Sequence, residues 1–228
     1  MNSIKPFSEF KFINLPRELK EEDYQKAVAL AVEDLRENKE VLAVYLMGKN
    51  WVPGISDLDI VVVYKDGISK TYSRHPRSLS EKCGYIFTHD YMHFTESFFK
   101  NIYYVYPPKF ELHLLYGNDI ALVDPRKELS AAEYKFLQAS LAMDLLLTKL
   151  LLFPRYFMAK IINTREALLM FYSFVYTIEM VEEITGKKLN PDFSRNIRDL
   201  KSRWFENPDT KLLYEAMTEG FSAVAGVV

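Results

Sequence analysis

A single cysteine, Cys83, stands among the 228 residues of the chain. No intramolecular disulfide can form, and one thiol without a Cys/His cluster argues against a zinc site. Long apolar runs are missing as well. The most apolar stretch, Leu145 to Phe153, is interrupted by Thr148 and Lys149 and is too short to span a bilayer. The first ten residues lack a basic stretch followed by an apolar core, so no signal peptide is expected. The expectation is a cytoplasmic protein with no membrane partner. There is no excess of positive charge: 29 Lys and Arg face 31 Asp and Glu, for a formal net charge of -2. Long-range attraction to a polyanion is not supported, which argues against nucleic acid as a partner. Internal repeats and low-complexity tracts are absent too.

The remaining composition belongs to an ordinary globular protein. Hydrophobic residues make up 49% and charged residues 26%, which excludes a disordered chain. The character of the chain changes near residue 128. Before it, short β-like runs alternate with turns; after it, the pattern is helical almost to the end. Tyr24, Val28, Ala31, Val32 and Leu35 recur at helical spacing and predict a helix over about Glu21 to Asn38. The run Val41 to Met47, closed by Gly48, reads as a buried strand, and Leu58 to Tyr64 as a second. Residues 68 to 84 are polar and basic and read as a loop with room for a short helix. Tyr85–Phe87 and Tyr91–Phe94 read as short strands, or the second opens a helix through Phe99. Phe110 to Tyr116 reads as a strand. Helices are expected at about Ser130–Leu152, Thr164–Ile184, Asp192–Phe205 and Thr210–Ala223. Ser130 with Glu133 forms a capping box for the first of these, and Gly186 closes the second.

The chemistry gathers in Gly48-Lys49 … Ser56-Asp57-Leu58-Asp59-Ile60. Asp57 and Asp59 are two residues apart where a β-run begins, so strand alternation points both carboxylates to one face. Two ionised carboxylates that close repel unless a cation lies between them. A hard divalent cation is the natural occupant, since Mg²⁺ binds through one or two carboxylates together with substrate phosphates. Gly48 lets the backbone approach an anion closely, the turn after it can aim N–H groups at phosphate, and Lys49 adds positive charge. An isolated Asp-x-Asp is usually a solvated strand end; the preceding strand-Gly and Pro-Gly-x-Ser make this one far more specific.

The stretch Leu46-Met47-Gly48 … Pro53-Gly54-Ile55-Ser56-Asp57-Leu58-Asp59-Ile60-Val61-Val62-Val63 resembles the signature of the DNA polymerase β-like nucleotidyltransferase superfamily. In that signature a strand ends in Gly-Ser or Gly-Gly, and Asp-x-Asp enters the next strand after a loop. The helical second half resembles the bundles attached to this domain in aminoglycoside nucleotidyltransferases. The resemblance implies an α+β fold, with a nucleotidyltransferase domain over residues 1–128, built on a mixed β-sheet flanked by helices, and a helical bundle over 129–228. It implies transfer of a nucleotidyl group from a nucleoside triphosphate to the hydroxyl of a small-molecule or protein acceptor. Asp57 and Asp59 would hold Mg²⁺ or Mn²⁺, with Gly48, Lys49 and Ser56 at the nucleotide. Such enzymes use a third carboxylate, for which Glu111 is the candidate, as metal ligand, general base or both. A salt bridge at a strand start is the competing reading of Glu111; His113 shares its strand face and reads either as lining the same cleft or as a structural histidine. The acceptor and the oligomeric state are not legible, a homodimer being one option.

Two features depart from the family pattern. Lys49 stands where a small hydroxyl residue or glycine is usual, and the loop from Gly48 to Asp57 is short. They motivate a second reading, a catalytically degenerate nucleotide-binding or protein-interaction (antitoxin-like) module.

Overall fold

The two apolar runs on either side of Gly48 and Asp57 form the central pair of a four-stranded sheet. The computed structural model of the chain describes residues 5–48, 51–68, 74–106, 111–189 and 191–225, and within these leaves aside the side chains at 149, 150, 152–154, 191 and 223–225. The expectations placed on Lys49 and Phe110 lie outside the described residues, as does part of the loop read over residues 68 to 84. The first elements in chain order are β1 (Lys11–Ile13), α1 (Glu21–Arg36), β2 (Val41–Met47) and β3 (Asp59–Tyr64). Then come α2 (Glu81–Ile86), β4 (Met92–Thr95), α3 (Glu96–Lys100) and β5 (Leu112–Gly117). The rest is α4 (Pro125–Glu128), α5 (Ala131–Ala159), β6 (Ile161–Asn163), α6 (Thr164–Thr185), α7 (Pro191–Ser202) and α8 (Thr210–Ala225). The architecture is α+β, as expected.

The chain divides into two compact units, Leu19–Tyr134 and the combination of Met1–Glu18 with Lys135–Val228. In the first, the strand order is β4-β3-β2-β5; β2 runs antiparallel to both β3 and β5, while β3 and β4 are parallel, so the sheet is mixed. Both faces of the sheet are covered, which is why its central strands read as continuous apolar runs rather than alternating ones. On one face Val44, Leu46, Ile60 and Val62 pack against the α1 stripe of Tyr24, Ala27, Ala31 and Leu35 and against Cys83 and Ile86 of α2. On the other, Ala43, Tyr45, Val61 and Val63 pack against Phe99 and Ile102. Each such side chain taken fully out of water contributes about 1.5–3 kcal/mol if large and less if small.

Tyr85–Phe87 lies within and just after a short helix rather than in a strand. Ser80 caps α2 by accepting the Cys83 N–H at 3.1 Å, and this local cap outweighs the β-propensity of Tyr85 and Ile86. Ile120–Val123 pairs with no strand among the described residues.

The second unit is helical apart from one short parallel pair. Lys11–Ile13 lies in register with Ile161–Asn163. Phe171, Phe174 and Phe193, all fully buried, meet at ring-centroid distances of 6.0–6.5 Å among α6 and α7. The expected helix ends hold at two places. Ser130 and Glu133 exchange hydrogen bonds at the start of α5, and Gly186, with φ 69°, closes α6 in the left-handed conformation. The α5 helix continues past Leu152 to Ala159. No described helix is long and apolar enough to cross a membrane.

Candidate functional site

The loop leading into β3 is built before its carboxylates are aimed. Gly54, at φ 85°, sits in the turn, and the Val52 carbonyl accepts from Ile55 and Ser56 N–H at 3.0 and 2.9 Å. The Ser56 hydroxyl accepts the Val52 N–H at 2.8 Å. Tyr24 reaches up from α1, donating to the Ser56 carbonyl at 2.5 Å and accepting the Gly54 N–H at 3.1 Å. Tyr85 of α2 donates to the Gly54 carbonyl at 2.6 Å, and Trp51 stacks on Tyr24 at 5.6 Å. Ile55 and Leu58 are buried beneath. The loop is thus clamped to two helices, and Asp57 and Asp59 emerge from it with little freedom. Tyr24→Phe removes one hydroxyl that serves two buried backbone groups, and is expected to cost about 2 kcal/mol in urea unfolding. A variant as stable as the parent would show that the clamp does not hold the loop.

Asp57 and Asp59 converge, as expected, and a third group joins them. Asp57, Asp59 and His89 each present a ligand-type atom within 4.8 Å of the others. His89 Nε2 lies 2.8 Å from Asp59 Oδ1 and 3.9 Å from Asp57 Oδ2. The other ring nitrogen, Nδ1, lies 2.6 Å from the Asp90 carbonyl. Thr88 donates its hydroxyl to Asp57 Oδ2 at 2.6 Å. Both His89 nitrogens face oxygens that only accept, so both carry protons and the ring is a cation. The hydrogen bond to Asp59 raises its pKa to about 9 against the opposing effect of burial, with further upward contributions from the Asp90 carbonyl and the charges of Asp59 and Asp57. In the metal-free protein the imidazolium is the counterion of the two carboxylates. NMR of that form should show His89 titrating near pH 9, not near its ordinary 6.5. The sign follows from linkage: a raised folded pKa stabilises fully below about 6.5, and the contribution is lost as pH rises through about 9. A His89 midpoint at its ordinary value would break this account.

Glu111 is not brought to this cluster. Met47 pairs with Asp59 on one side and Leu112 on the other, so Leu112, not Glu111, shares the Asp59 face. Glu111, one residue earlier, sets its carboxylate 3.3 Å from His113, whose register partner is Leu46 on the α1 side of the sheet. The Gly48 N–H donates to the Glu111 carbonyl at 2.7 Å, which leaves that donor engaged within the fold. Ser56 is buried and its hydroxyl accepts within its own loop. The basic residues after β3 serve the fold too: Lys82 pairs with Asp23, Arg74 with Asp34, and Arg77 donates to the Gly84 carbonyl. Tyr106 borders the site, its hydroxyl pKa raised by burial and then by the charge of Asp59. Met47 and Leu112 line the same face.

Thr88 and His89 were not among the residues singled out from sequence. Their signal is the polar run Thr88-His89-Asp90 just before β4. It gains meaning only once β4 is known to lie parallel to β3, which brings the starts of both strands to one edge of the sheet.

No family model and no curated protein sequence matches the chain. Among solved structures, it is similar to the crystal structure of spectinomycin adenyltransferase AAD(9) from Enterococcus faecialis with ATP and spectinomycin. The match has a TM-score of 0.44 and 13% identity, over 88% of this chain and 99% of that one.

Proposed function

We propose that this chain is a metal-dependent nucleotidyltransferase, moving a nucleotidyl group from a nucleoside triphosphate to the hydroxyl of a small-molecule or protein acceptor. The observation that carries the reading is the convergence of Asp57 and Asp59 on a position already held by a cationic ring. The donor chemistry fits a divalent ion, because two carboxylates presented together at a strand start are the usual protein share of a Mg²⁺ or Mn²⁺ site. Such an ion, when bound, supplies charge neutralisation at phosphate oxygens.

The chain's own residues do the rest by positioning. Asp57 is aimed by Thr88, and Asp59 by its place at the start of β3. The clamped loop keeps the two from diverging. In the transfer, the acceptor oxygen bonds to the α-phosphorus, the bond to pyrophosphate breaks, and the acceptor proton passes to a base or to water. Lys49 is retained as the proposed phosphate contact. Glu111 is assigned no part in holding the ion, since its carboxylate pairs with His113. Glu111→Gln should therefore leave metal affinity unchanged.

The test is nucleotide-dependent thermal stabilisation with Mg²⁺ or Mn²⁺, followed by pyrophosphate release with a panel of hydroxyl acceptors and with Asp57→Asn as the control. No stabilisation by any triphosphate with either metal would overturn the reading. A second reading has its own observations: the Gly48 N–H and the Ser56 hydroxyl are engaged within the fold, and Glu111 stands apart. These favour a catalytically degenerate nucleotide-binding or protein-interaction module. Triphosphate binding without pyrophosphate release from any acceptor would select it.

A further inference from the structure

We infer that His89 is the third protein ligand of the metal site, and that the resulting mixed nitrogen–oxygen donor set selects Mn²⁺ over Mg²⁺. The inference rests on the metal-binding reading above and goes beyond it by naming the ligand and the class of ion.

Three observations carry it. The first is spacing. Ligand atoms around a six-coordinate ion at 2.0–2.2 Å lie about 3 Å apart when adjacent and about 4 Å apart when opposed. His89 Nε2 lies 2.8 Å from Asp59 Oδ1 and 3.9 Å from Asp57 Oδ2, so once the Nε2 proton is displaced small movements open room for an ion. The second is the outer shell on the histidine. A metal-binding histidine commonly gives its remote N–H to a carbonyl or carboxylate, which fixes the tautomer and turns the other nitrogen to the metal. His89 does this through Nδ1 to the Asp90 carbonyl at 2.6 Å. The third is the outer shell on the carboxylate. Thr88, the residue next to His89, orients Asp57 Oδ2 at 2.6 Å. One short segment therefore supplies a ligand and steers another. An exposed Asp–His ion pair needs neither remote hydrogen bond.

Selectivity follows from donor type. Mg²⁺ is hard, takes oxygen and keeps much of its water, whereas imidazole suits transition ions. Among the described residues no third carboxylate joins the cluster to restore an all-oxygen site.

The test uses the full chain without nucleotide. Mn²⁺ is titrated in, its affinity compared with that of Mg²⁺ by competition, and the bound Mn²⁺ probed by pulsed EPR for coupling to imidazole nitrogen. The expected result is nitrogen coupling in the parent, its loss in His89→Gln, and Mn²⁺ bound at least about tenfold tighter than Mg²⁺, with the gap narrowing in the variant. The parent spectrum stands by itself if the variant fails to fold. Mn²⁺ that binds in an Asp57-dependent way without nitrogen coupling, or with coupling that survives in His89→Gln, overturns this inference and leaves the metal reading in place. If neither ion binds the parent, both fall.

Discussion

Asp59→Asn is expected to lower nucleotidyl transfer by roughly a thousandfold while the protein stays folded. Asparagine keeps the shape and can still accept a hydrogen bond from His89, so the strand start should survive. Asp59 is half-buried at the first residue of β3, and its backbone, not its carboxylate, belongs to the ladder with Met47. What is lost is one of the two anionic groups proposed as ligands, and with it the charge that would hold a cation close to phosphate. Metal titration and pyrophosphate release measured on the same preparation separate the causes. If the variant binds neither Mg²⁺ nor Mn²⁺ and is folded by circular dichroism, the loss lies in the site. Turnover within tenfold of the parent would mean that Asp59 is not a ligand, and the proposed chemistry would have to be abandoned.

Gly117→Ala should destabilise the sheet-bearing unit by about 3 kcal/mol or more, lowering its midpoint by on the order of 10 °C. Gly117 ends β5 opposite Ala43, with φ 86°. A Cβ built there would lie 1.9 Å from the Leu42 carbonyl oxygen and 2.9 Å from its carbon. These are backbone atoms of a central strand, so relief requires moving β2 itself. Gly48→Ala is the internal control. Gly48 also has a positive φ, 70°, but an added Cβ would meet nothing within 4 Å. Its cost should be the conformational penalty alone, about 1–2 kcal/mol. Urea unfolding of the two variants side by side decides the matter. Equal losses would show that the approach to Leu42 is relieved cheaply.

The central strands and the aspartate pair were legible because one local pattern specified each. Val41–Met47 and Asp59–Tyr64 are apolar runs punctuated by Gly48 and Gly67; Asp57 lies in the loop just before β3, and the turn at Gly54 together with the start of β3 brings it to Asp59. Capping chemistry was equally local, which is why Ser130, Glu133 and Gly186 were readable as helix ends. What could not be read depends on pairing between distant segments. His89 enters the site only because β4 adds to β3 in parallel, and nothing in Thr88-His89-Asp90 announces that partner. Glu111 shows the converse. Its strand was recognisable, but the register decides which face its carboxylate takes, and the ladder sets Leu112 beside Met47. A slip of one residue would exchange the two. The aromatic character of Tyr85 suggests a strand, but the cap at Ser80, earlier in the same segment, starts a helix instead.

The parallel pairing of Lys11–Ile13 with Ile161–Asn163 ties together segments separated by most of the polypeptide. The segment Leu19–Tyr134 lies wholly between the two strands that pair, so the early strand can find its partner only after that whole segment has been synthesised. The sheet-bearing unit is an uninterrupted stretch that can be excised with one cut at each end. Its neighbour draws on both ends of the chain, so trimming the first eighteen residues deprives it of a strand.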